Sequence, residues 1–188
     1  ARLARSGNAQ ALDFLETLVK KAAQYQMPEG HFHLYYSGQK GATFHTAVIL
    51  EGLTEARETF KTQEKKDSLS LTETLLEKSG EALAASRGAK RGFFSYQMGP
   101  PDESRQDIFP AGAAARSVAC EWALYRAGRS DKTRLEKAAA NFMESWPLIA
   151  NWIENNPETE DSARSPHAEL FAISDYYLFF GMYYTSQI

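Results

Sequence analysis

The chain has 188 residues, 43% of them hydrophobic and 24% charged, with a formal net charge of −3. That length suits one domain with a sizeable core, and the mild acidity leaves neither a basic field for nucleic acid nor a polybasic patch for a membrane surface. Cys120 is the only cysteine, which excludes an internal disulfide and leaves the compartment open, export included.

The chain starts ARLARSGN, without a methionine, so removal of a leader or of a preceding domain is an expectation. The first helix is expected from about Asn8 to Tyr25: Leu12, Leu15, Val19 and Ala22 recur at helical spacing, with Lys20, Lys21 and Gln24 facing away. The second, about Thr43 to Phe60, carries TAVILEGL, apolar nearly all round, and the polar run KTQEKKDS closes the unit. A striped helix with Leu71, Leu75, Leu76, Ala82 and Leu83 is expected after Ser70 as its cap. AAARSVACEWALYRAG follows, apolar on most faces and stopped by Gly128. Leu135, Ala138, Ala139, Phe142 and Trp146 make a third striped helix, which Pro147 is expected to kink or restart. The last segment, from about Ala168, is aromatic and interrupted by Glu169, Ser174, Asp175 and Thr185, so it reads as an enclosed helix of a soluble protein rather than a membrane span.

Striped and enclosed helices therefore alternate. The expected fold is all-α: three α-hairpins at about 8–66, 67–131 and 132–188, with an outer amphipathic and an inner buried layer. The connections carry an internal repeat. EGHFHLYY aligns with RGFFSYQM, placing Gly30 on Gly92 and Phe32 on Phe94, 62 positions apart. HTAVILEGLTEA aligns with RSVACEWALYRA, placing His45 on Arg116, Thr46 on Ser117 and Leu53 on Leu124, 71 positions apart. The nine residues GPPDESRQD account for the difference. The third unit has NNPETEDSARSP in place of the glycine-aromatic loop, a polar segment expected to be mobile.

His31 and His33 are spaced to share one side of an extended strand, with His45 the nearest third ligand. In the second copy their positions hold Phe93 and Ser95, so the glycine and the aromatic are what the loop requires, and neither a metal nor a cofactor is expected. Among polar residues on enclosed helices, Arg116 opposes its helix dipole and calls for a carboxylate or an anion. Asp175 lies among Tyr176, Tyr177, Phe179 and Phe180, and an Arg116–Asp175 ion pair is the expected arrangement. Glu51 and Glu121 are read as reaching the ends or edges of their helices. A shallow aromatic pocket is expected from His33, His45, Phe94, Tyr96, Arg116 and His167, joined by Asp175 and Tyr176 and rimmed by PPDESRQD.

Gln26-x-x-x-Gly30-x-Phe32 resembles the repeat signature of the terpenoid-cyclase and prenyltransferase superfamily: glutamine, three residues, glycine, one residue, tryptophan, with phenylalanine here for tryptophan. Gly88-x-x-x-Gly92-x-Phe94 keeps only the second glycine and the aromatic, and YYLFFGMYYTSQ resembles the aromatic inner helix of squalene-cyclase-like bacterial proteins. The resemblance implies α-hairpins wound into an α/α toroid. Three hairpins are about half of its six-hairpin ring, so a half-ring, a fragment, or one member of a pair (a second copy or a missing half) is implied. The family's chemistry is not carried: there is no Asp-x-Asp-Asp motif, and Val118 stands where a zinc-binding Asp-x-Cys pair would place its aspartate before Cys120.

The first functional expectation is a non-catalytic module binding a partner protein or a small apolar or aromatic ligand on an aromatic-lined concave face. An isoprenoid-type enzyme with Asp175 as proton donor is the second. A polysaccharide-active enzyme is the third, although glycoside chemistry asks for two facing carboxylates and only Asp175 is expected to point inward.

Overall fold

Leu12, Leu15 and Val19 recur one turn apart and are buried, which commits 9–25 to a helix with one wet face. Asn8 caps it, its Oδ1 accepting the Ala11 N–H at 2.9 Å. A computed structural model describes residues 1–32, 41–99, 110–155 and 172–188, with no account of the side chains of Arg2, 110–112, Trp152, Ile153, Asn155 and 172–177. Seven helices are described: α1 (Arg2–Arg5), α2 (Ala9–Tyr25), α3 (Thr43–Thr62), α4 (Lys66–Ala85), α5 (Pro110–Arg126), α6 (Lys132–Asn155) and α7 (Ala172–Thr185). Among the described residues there is no strand, only isolated bridges, and no helix is long and apolar enough to cross a membrane.

Helices α3, α5 and α7 lie side by side, α5 in the middle. Helix α4 packs on α3, and α6 packs on α5 and α7, while α2 rests on α4 and α1 touches α2 and α3. Two rows result. The core is correspondingly in two parts. Leu50, Leu53 and Phe60 of α3 pack with Leu75, Leu76 and Leu83 of α4, and Ala115 and Val118 of α5 pack with Phe142 of α6 and Tyr184 of α7. The short connections run from an inner-row helix to the next outer one: Gln63–Lys65 between α3 and α4, and 127–131 between α5 and α6. The long ones return inward, and both described examples are built alike.

In the first return, Gly30 takes φ 91° and the Phe32 N–H donates to Thr46 Oγ1 in the first turn of α3, at 3.3 Å. In the second, Gly92 takes φ 75° and the Phe94 N–H donates to Ser117 Oγ of α5, at 2.9 Å. Both hydroxyl-bearing residues and both rings are buried. A hairpin of main-chain bonds closes each turn, Met27 N–H to His31 O and Gly88 N–H to Phe93 O. The loops also lace the units together. Thr43 N–H donates to Tyr96 O, Thr43 Oγ1 to Ser95 O, and Met98 N–H to Gly41 O. Gln26 adds a stitch to the next outer helix, its Nε2 within hydrogen-bond distance of Gly30 O, Leu75 O and Ser79 Oγ.

Three local expectations need correction. Helix α4 begins at Lys66, one turn before Ser70, with no side-chain cap; Asp67 in its first turn offsets the dipole, and Glu64 at φ 53° makes the sharp entry. Pro147 sits inside α6, which runs through it, so of the kink or restart expected there the restart does not occur. The carbonyl it leaves without a helical donor belongs to Met143, on the exposed side, where water can satisfy it. Helix α7 is not enclosed. Gly181 lets it approach α5 and α6 so closely that a Cβ there would lie 2.8 Å from Ala115 Cβ and from the Phe142 ring. Its other side, with Phe179, Met182 and Tyr183, is exposed, because among the described helices α5 and α6 pack along its opposite side and α3 reaches it only through side chains such as Phe44 and Glu51.

The two turn glycines differ in what surrounds them. A Cβ on Gly30 would lie 2.3 Å from the Lys78 carbonyl oxygen, whereas one on Gly92 would meet nothing within 4 Å. Gly30→Ala should therefore cost about 3 kcal/mol or more of unfolding free energy, and Gly92→Ala about 1 kcal/mol from its positive φ alone. Urea denaturation of the two variants checks this; equal losses would contradict the packing described.

Candidate functional site

On α3, Val48, Glu51, Gly52 and Glu55 recur at helical spacing on the side opposite Leu50 and Leu53. This is the face of the inner row turned away from α4. Glu51 occupies its centre. Trp122 Nε1 of α5 donates to Glu51 Oε1 at 3.2 Å, and Tyr184 Oη of α7 donates to Glu51 Oε2 at 2.8 Å. One carboxylate thus ties all three inner helices together. The Trp122 and Tyr184 rings lie 6.3 Å apart, centre to centre.

One turn further along, Glu55 accepts from Arg126 of α5 and from Arg5 of α1, and the Arg126 guanidinium lies 5.8 Å from the centre of the Trp122 ring. Burial disfavours the charge on Glu55, but the two guanidinium groups outweigh it and hold its carboxyl below the usual range. At the other end, Phe44 and Phe180 meet edge to face at 4.7 Å. The pairs Glu51–Trp122 and Glu55–Arg126 are each 71 positions apart, the same spacing that separates Thr46 from Ser117. Helices α3 and α5 are therefore side by side in register.

Among the described residues no Lys, Arg or His lies within ion-pair distance of Glu51, and its two bonds come from neutral donors. The site is a half-buried anionic point in an aromatic frame, with Val48 exposed one turn before Glu51 on α3 and Tyr125 exposed one turn after Trp122 on α5. Tyr184 is pushed above the ordinary phenol range, first by burial and then by its bond to Glu51 and that carboxylate's charge. Burial pushes the Cys120 thiol up to about 12, despite the nearby Arg116.

The residues singled out from the sequence are distributed differently. Phe94, Tyr96 and Arg116 do come together. Arg116 Nε and Nη2 donate to the Phe94 carbonyl at 3.3 and 2.9 Å, and its guanidinium lies 5.8 Å from the Tyr96 ring centre. Phe94 and Arg116 are both fully buried. His45 is half-buried beside the Phe44 ring. His33, His167 and the PPDESRQD rim lie outside the described residues, as do the side chains of Asp175 and Tyr176, and with them the Arg116–Asp175 pair. Among the described residues no three His, Cys, Asp or Glu converge as metal ligands.

Glu121 does not reach a helix edge. It is 2% exposed and held by Arg87 through two bonds of 2.9 and 2.8 Å, with Ser130 Oγ donating to it as well. Sequence reading missed Trp122, Tyr184 and Arg87. The first was within reach, since the 71-residue alignment puts Glu51 and Trp122 at equivalent positions on adjacent helices. Comparison with protein-family models, with curated proteins and with solved structures finds no match.

Tyr184 supplies a pH test. Its phenol ionises less readily in the folded chain than in the unfolded one, so its contribution to stability is complete below about pH 10 and declines as pH rises further. Tyr184→Phe should lose less stability than wild type between pH 9 and 11 by urea titration. Parallel pH profiles would contradict the buried, Glu51-bonded setting described for the phenol.

Proposed function

We propose that this chain is a non-catalytic helical-repeat binding module, and that the α3–α5–α7 face takes a cationic side chain of a partner protein. The observation that carries the reading is Glu51, a half-buried carboxylate held by Trp122 and Tyr184 with no cation beside it among the described residues. Burial of an uncompensated carboxylate is unfavourable, and a lysine or arginine from a partner would offset it. Trp122 and Tyr184 would then face the incoming cation with their rings, and exposed Val48 and Tyr125 would cover its aliphatic stem.

The α/α-toroid resemblance fits this reading, since a curved row of hairpins would present that face on its inside. The raised Tyr184 and Cys120 favour binding over the isoprenoid-type and polysaccharide-active alternatives, because neither group is poised to donate or accept a proton near neutrality.

A short oligolysine peptide tests the proposal. Titration at low salt, followed by Trp fluorescence, should give saturable binding. Glu51→Gln should weaken it about tenfold, equivalent to ~1.4 kcal/mol, while Glu58→Gln on the same helix leaves it unchanged. Equal affinities for wild type and Glu51→Gln would overturn the assignment.

A further inference from the structure

Each of the two described return loops faces an outer helix, and the two encounters differ in one respect. In the first, α4 closes onto the loop: Lys78 and Ala82 crowd Gly30, and Leu75 and Ser79 receive the Gln26 amide. Exactly one such stitch would be needed in the second, but the residue aligned with Gln26 is Gly88, which has no side chain to make it. The α6 residues 59 positions beyond those four are Arg134, Lys137, Ala138 and Asn141. All four line a cleft of about 290 Å³, whose opposite wall is the loop itself with Gly88, Arg91 and Gly92. The cleft therefore occupies the place where the first unit has its stitch.

Its chemistry is one-sided. Four cations, Arg87, Arg91, Arg134 and Lys137, face it against one carboxylate, Glu121. Arg87 and Glu121 satisfy each other. Arg134 has Asp131 at 3.5 Å. Arg91 and Lys137 have no carboxylate within ion-pair distance among the described residues. Asn141 Nδ2 donates to the Arg91 carbonyl at 3.3 Å and anchors the loop to α6 below the opening. The wall opposite α6 is formed by glycine at two points, so a ligand can lie against the main chain.

We propose that this cleft is a binding site for a small polyanion, a phosphate ester or a di- or tricarboxylate, seated where Gln26 lies in the first unit. Arg91, Arg134 and Lys137 supply the charge, with the guanidinium groups able to take two oxygens at once. The volume admits a ligand at the small end of the usual range. The site uses none of the residues of the Glu51 face, and stands or falls independently of it.

Calorimetric titration with inorganic pyrophosphate and, separately, with citrate at low ionic strength tests the proposal. Saturable binding at about 1 mM or tighter is expected for at least one of them, weakened by added salt. Binding of pyrophosphate alone assigns the site to phosphates, and of citrate alone to carboxylates. Arg91→Glu combined with Lys137→Glu, both at exposed positions, should abolish it. Gly88→Gln, which restores the missing side chain at a position outside the left-handed region, should weaken it about tenfold or more without unfolding the chain. Failure of both probes to bind wild type, or binding undiminished in the doubly reversed variant, overturns the proposal.

Discussion

The arrangement depends on a single kind of bond, made twice: the amide of a buried phenylalanine in a loop, donated to a buried hydroxyl on an inner helix. Phe32 gives its N–H to Thr46, and Phe94 gives its own to Ser117. A loop passing into the core has amides that water cannot reach and that need an acceptor. A hydroxyl accepts the loop amide without introducing charge, so the ring beside it can be buried between rows. Once both loops are pinned this way, α3 and α5 are held at the same height, and Glu51 meets Trp122 while Glu55 meets Arg126.

From that register the two faces of the molecule diverge. The face of the inner row opposite α4 gathers a carboxylate, an indole and a phenol into one hydrogen-bonded cluster. The side where loops meet outer helices is closed by Gln26 in the first unit and left open by Gly88 in the second. A near-repeat with one substitution is enough to turn a packing contact into a cleft, because the backbone of the loop is retained while the side chain that filled the space is not.

Much of this was legible in the sequence, at the level of pattern. Stripes such as Leu12, Leu15 and Val19 located α2, and the glycine-aromatic spacing identified both turns, because positive φ and ring burial each restrict the residues allowed. The start of α4 was not legible, since Lys65 makes no side-chain cap, and Ser70 offered a better capping residue one turn late. Burial of α7 was overestimated for a different reason: apolar composition reports the capacity to pack, not the presence of a neighbour. The polar sites were the hardest to read. Glu51 and Glu121 look alike in sequence, each a lone carboxylate in an apolar stretch of an inner helix, yet one is held by neutral donors and the other by a half-buried arginine from a loop 34 residues away. Only the repeat spacing offered a handle, and it reached Trp122 but not Tyr184, which comes from the unit with the least repeat character.

The most direct measurement of the account is amide hydrogen exchange at Phe32 and Phe94. Both N–H groups are buried and donated to helix hydroxyls, so both should exchange at least about a thousandfold more slowly than in an unstructured peptide, and replacing Thr46 by Val or Ser117 by Ala should accelerate the partner amide specifically. Exchange of either amide at the unstructured rate would mean that the loop is not pinned to its inner helix, and the register on which both sites rest would be lost.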